Sequence, residues 1–161
     1  MKRFVSILLV ITVLLALGVP AFADIPSPTG SGKRDGGAAG SGLQIFNSDD
    51  KLIAVVPSKE VIRYNIRQAD KLDAADKEAF LAAYEAAKNS EDKVVLQVYW
   101  LDIPDEYKNL DDFSYAKYYF RCGGRNIELS VNGKDMEIGR LGNCNYYAKL
   151  TEFGTVLITR N

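Results

Sequence analysis

The stretch Asn126-Ile127-Glu128-Leu129-Ser130-Val131-Asn132-Gly133-Lys134-Asp135-Met136-Glu137-Ile138 constrains the fold more than any other part of this chain. Apolar residues stand at 127, 129 and 131, and again at 136 and 138. A period of two puts alternate side chains on opposite faces of a strand. Asn132-Gly133 between the two runs tolerates the positive φ of a type I′ turn. The segment predicts a hairpin with Ile127, Leu129, Val131, Met136 and Ile138 turned inward. An isolated hairpin is marginal in water, so the rest of the chain must supply more strands.

Those strands follow at short spacing, with turn residues between them. Leu43–Phe46 and Leu52–Val56 flank the turn cluster Asn47-Ser48-Asp49-Asp50, and Val61–Tyr64 extends the second run beyond Pro57. Val94–Leu101 is apolar on both faces for most of its length, the pattern of a central strand. Lys117–Cys122, Cys144–Leu150 and Thr155–Thr159 complete the set, with Gly139–Asn143 as a loop. Such spacing points to a sandwich. One segment breaks the pattern. Asp73 is a good N-cap, Asp76 and Glu78 follow in the first turn, and Phe80, Ala83, Tyr84 and Ala87 share one helical face. A single amphipathic helix is expected there, ended by Asn89-Ser90 and packed on a sheet. The fold class is mainly β, with an antiparallel sheet packed by one helix (α+β) as the alternative.

The two ends of the chain differ in kind. Met1-Lys2-Arg3, the apolar run Phe4–Leu17, Gly18, Pro20 and Ala21-Phe22-Ala23 follow the plan of a secretory signal peptide. The run is shorter than the roughly 20 residues of a spanning helix. The expectation is cleavage after Ala23, an extracellular product and no membrane span thereafter. Residues 24–42 are rich in Gly, Ser and Pro and predict a flexible tether. No strand precedes them and no Gly-Lys-Ser/Thr ends them, so they are not a phosphate loop. The globular domain is expected at 43–161.

Composition excludes much chemistry. The chain has no His, which removes Ser-His-Asp and Cys-His sites and His-ligated zinc. Its net charge is −1, and loss of the basic leader makes it more acidic, which argues against a nucleic-acid partner. Cys122 and Cys144 are the only cysteines. An even count in an extracellular chain predicts a structural disulfide between them. Asp102, Asp105, Glu106, Asp111 and Asp112 form an acidic stretch without EF-hand spacing, read as a solvated loop. Ser58-Lys59 has no support as a nucleophile–base pair. No catalytic residue, metal or cofactor is expected; a carboxylate-dependent hydrolase, built on paired acids, is the lesser alternative to a binding module. Tyr99, Trp100, Tyr107, Tyr115, Tyr119 and Tyr147 are candidates for stacking on a sugar ring. Tyr and Trp also fill strand cores, so an exposed row is what would mark a platform.

The segments Asn126–Lys134 and Tyr146–Val156 resemble the "xVTVNGK" hairpin and the closing strands of immunoglobulin-like modules in Gram-positive secreted and cell-surface proteins. The resemblance covers about a third of the chain. It implies an immunoglobulin-like sandwich into which the helix is inserted, and a non-catalytic module binding a protein or glycan ligand at the cell surface. No functional residue carries over from it.

Overall fold

The computed structural model describes residues 42–161. The expected leader (1–23) and all but the last residue of the expected tether (24–42) lie outside the described residues. Ten strands form two antiparallel five-stranded sheets. In chain order they are β1 Leu43–Phe46, β2 Leu52–Val56, β3 Ile62–Tyr64, β4 Val94–Asp102, β5 Tyr115–Arg121, β6 Ile127–Val131, β7 Lys134–Asp135, β8 Glu137–Gly142, β9 Asn145–Leu150 and β10 Gly154–Arg160. One sheet runs β2-β1-β5-β9-β8 and the other β3-β4-β10-β6-β7. The main helix, α1, is Ala74–Lys88, and a single turn, α2, is Asp105–Lys108. The mainly β class with one principal helix is therefore as the periodicities predict.

The inner faces of the two sheets make one core. Leu43, Ile45, Tyr118, Phe120, Ala148 and Leu150 come from the first sheet, and Tyr99, Leu101, Leu129, Val131, Val156 and Ile158 from the second. The Tyr99 and Tyr118 hydroxyls join across this core at 3.0 Å, and burial pushes the Tyr99 phenol well above its ordinary pKa. On the other face of β4, Trp100 meets Phe80 of α1 edge-on at 6.2 Å, with Ala69 beside them. Thr155 and Thr159 of β10 are buried too. Their register with Trp100 and Val95 of β4 turns them to that same face. The order is thus helix, sheet, sheet. α1 begins where expected: the Asp73 carboxylate accepts the Asp76 N–H at 2.9 Å.

Two connections differ from the sequence reading. Ile62–Tyr64 does not extend β2. It pairs with β4 in the opposite sheet, after the short 3₁₀ turn Ser58–Glu60. The hairpin partner Lys134–Ile138 is likewise split. Asn132 (φ 50°) and Gly133 (φ 80°) make the turn, but only Lys134 and Asp135 pair back on β6. At buried Met136 the chain crosses, and Glu137 onward pairs with β9 in the first sheet. A thioether flexible enough to fill that corner lets two inward apolar positions serve one core from both sheets. The strand β8 then runs through the expected loop to Gly142.

The expected disulfide is not present. Cys122 and Cys144 are free thiols, although their backbones pair, the Cys122 N–H donating to the Cys144 carbonyl at 2.9 Å. Cys144 is not on a strand. It sits in the β8–β9 turn in the left-handed region, at φ 63°, and not at a ladder position opposite Cys122. Cys122 is buried with its thiol toward the Gly123 carbonyl, and burial, with Cys144 beside it, raises its pKa.

Two tests follow from this packing. Tyr99→Phe or Tyr118→Phe should each cost about 1–3 kcal/mol by orphaning the partner hydroxyl. The double variant should cost less than the sum in a denaturant-unfolding cycle. For the thiols, Cys122→Ser should cost about 1–3 kcal/mol by burying a hydroxyl, while Cys144→Ser should fall within about 0.5 kcal/mol of the parent. Equal losses would instead be the signature of a cross-link.

Candidate functional site

The inner sheet is covered on both faces, by its partner sheet and by α1. Among the described residues no helix or strand packs on the outer face of the first sheet. The composition of that face follows from the pleat. In β5, Tyr115, Lys117, Tyr119 and Arg121 alternate with buried Ala116, Tyr118 and Phe120. In β9, Asn145, Tyr147 and Lys149 alternate with buried Tyr146, Ala148 and Leu150. In β1, Gln44 and Phe46 alternate with buried Leu43 and Ile45. Register sets Tyr119 opposite Tyr147 and Lys117 opposite Lys149, with Phe46 opposite Tyr115. Aromatic and cationic side chains therefore alternate along β5, while across the ladder ring faces ring and lysine faces lysine.

Each aromatic ring on this face is anchored. Phe46 and Tyr115 stack with centroids 5.1 Å apart and planes 11° from parallel. The Tyr115 hydroxyl donates to Asp50 at 2.9 Å, and Tyr119 donates to the Gln44 Oε1 at 3.3 Å. Tyr147 lies over Gly139 of β8, where an added Cβ would come within 2.3 Å of its ring. The Lys117 Nζ is 4.5 Å from the Tyr147 centroid and 5.7 Å from that of Tyr119. Such cation–π contacts contribute about 0.5–1 kcal/mol each at exposed sites.

The two lysines are not equivalent. Like charges directly opposed across strands are destabilising. Lys149 is relieved by Glu137 at 2.9 Å, whose hydrogen bond raises its pKa. Lys117 has no carboxylate partner among the described residues. Its ammonium rests on ring faces alone, so among the described residues it is, with Arg121, a charge on this face free to meet an incoming anion.

The six aromatic candidates separate. Tyr115, Tyr119 and Tyr147 are brought together here. Tyr99 and Trp100 are 3% and 7% exposed, held in the core and under α1, and present no ring to a ligand. Tyr107 packs at the core margin and donates to Glu60 at 3.2 Å. The acidic stretch is tied to its own cation, with Lys108 bridging Asp102 at 3.0 Å and Asp105 at 2.7 Å. Phe46, Gln44, Lys117, Lys149, Arg121 and Gly139 were not singled out by the sequence reading. The i, i+2 alternation of Tyr115, Lys117, Tyr119 and Arg121 is the signal that finds four members of the row. Starting the strand at Lys117 truncates it by one ring.

Around the end of β5 lies a cleft of about 300 Å³ lined by Arg125, Asn126, Ile127, Ile138, Arg140 and Tyr146. The Tyr146 hydroxyl donates to the Gly124 carbonyl at 2.8 Å on its rim. Among the described residues no helix is long and apolar enough to cross a membrane, and no three His, Cys, Asp or Glu cluster as metal ligands. No protein-family model, curated protein or solved structure matches this chain.

Gly139→Ala tests how the platform is held. The new methyl must displace the Tyr147 ring, so a loss of about 1–3 kcal/mol is expected, read by denaturant unfolding, together with a changed Tyr147 ring environment by NMR.

Proposed function

We propose that this chain is a secreted, non-catalytic binding module of the immunoglobulin-like kind, and that it holds a carbohydrate chain on the outer face of the β2-β1-β5-β9-β8 sheet. The observation that carries the reading is the pairing of Tyr119 with Tyr147 on an uncovered sheet face. Rings at directly opposed positions form one continuous aromatic surface about 5 Å across the strands. The apolar face of a sugar ring covers such a surface, while its hydroxyls reach the polar groups between. Gln44 and Lys117 stand where those hydroxyls would lie. Holding the rings in place beforehand lowers the ordering cost of binding. A shallow, half-buried face suits an extended polymer better than a small molecule, which calls for a concave pocket. Of the carboxylates of the 102–112 stretch, Asp102 and Asp105 are engaged with Lys108, which favours binding over hydrolysis as the reading.

The test is affinity electrophoresis of the purified protein through dextran, xylan, glucomannan and polygalacturonate. At least one polymer should retard the parent. Tyr119→Ala and Tyr147→Ala should each weaken that retardation roughly tenfold, in line with the loss of one aromatic anchor, with the thermal midpoint little changed. No retardation by any of the polymers would overturn the reading.

A further inference from the structure

The chain as a whole is slightly acidic, with a net charge of −1, yet its uncovered face is basic. Lys117, Lys149 and Arg121 project from β5 and β9, and two carboxylates stand against them, both already engaged: Glu137 by Lys149 and Asp50 by the Tyr115 hydroxyl. Neither Lys117 nor Arg121 has an ion-pair partner among the described residues. The cross-strand lysine pair opposes folding. That arrangement is costly for a surface with no anion to bind and favourable for one that meets an anionic polymer. Along β5 the cations stand on either side of Tyr119, at Lys117 and Arg121, roughly 14 Å apart at the rise of a strand. A polymer lying along β5 would meet cation, ring and cation in turn.

We propose that the ligand is a polyanionic polysaccharide. Its sugar rings lie on Tyr119 and Tyr147, and its carboxylate or sulfate groups are taken by Lys117 and Arg121. This deepens the carbohydrate reading and rests on it. It adds that negative charge on the sugar is required. Interleaved rings and cations also suit single-stranded nucleic acid. The net acidity of the chain disfavours that partner, and the test includes it.

The experiment compares polymers that differ only in charge, using the purified protein. Polygalacturonate is set against its fully methyl-esterified form, and dextran sulfate against dextran, with oligo-dT as a further arm. The acidic member of at least one pair should bind and its neutral counterpart should not. Affinity should fall steeply with added salt, as expected when bound cations release counterions. Preference for polygalacturonate identifies a carboxylate ligand, and preference for dextran sulfate a sulfate ligand. Lys117→Gln and Arg121→Gln should each weaken binding of the acidic polymer roughly five- to tenfold, the loss expected for a charge-assisted hydrogen bond. Both side chains leave the surface without a buried partner, so these variants should fold as the parent does. Equal binding of acidic and neutral members, with Tyr147→Ala abolishing both, would overturn the charge requirement and leave the carbohydrate reading standing. No binding to any polysaccharide would overturn both. Tighter binding to oligo-dT than to every polysaccharide would overturn the proposal in favour of nucleic acid.

Discussion

Strand β4 is packed on both of its faces, and the arrangement of the molecule depends on it. Tyr99 and Leu101 turn toward the partner sheet, and Trp100 turns toward Phe80 of α1. Of the two sheets, the one that contains β4 is therefore enclosed between helix and sheet. Among the described residues the other is enclosed on one side only. The residues of its free side are not drawn at random from polar types, as they would be on a merely solvated surface. Along β5 they are tyrosines and cations in alternation, continued by Tyr147 and Lys149 of β9, with the rings fixed by Asp50, Gln44, Gly139 and Phe46.

The electrostatics of that side separate a structural charge from an available one. Lys149 and Glu137 close on each other, as do Lys134 and Glu152 near the Asn132-Gly133 turn. Lys117 sits opposite Lys149 and has ring faces in place of a counter-ion. A cation–π contact relieves less than a carboxylate would, and it leaves the ammonium's hydrogen-bonding capacity largely unspent. A surface optimised for stability alone would carry an acid at position 117.

Much of this architecture is legible in the sequence. The period-two runs of β5, β6 and β9, the Asn132-Gly133 turn and the Asp73 cap are local signals, and local geometry realises them. What was not legible is which sheet each strand joins. A strand is apolar on one face whichever sheet it enters, so Ile62–Tyr64 and Glu137–Gly142 carry no mark of their crossing. The same degeneracy hides the site. Tyr99 and Tyr119 look alike in sequence, and only the pairing of β4 between two layers makes one a core residue and the other a surface one. Cys122 and Cys144 show the limit of counting: their backbones meet as expected, yet Cys144 stands in a left-handed turn and the two thiols are not bonded.

The crossings at Ser58–Glu60 and at Met136 have a further consequence. Each joins an edge strand of one sheet to the edge strand of the other, β2 to β3 and β7 to β8. Open sheet edges are templates for pairing with other chains, and short or irregular edges are poor templates. Here the edges of the helix-covered sheet are only three and two residues long, and the longer edges β2 and β8 each pair with a break in register, at Ile45/Phe46 and at Arg140/Gly142. The sandwich thus guards its margins against fibrillar self-association by connectivity, which leaves the broad Tyr–Lys face free of any duty to keep copies of the chain apart.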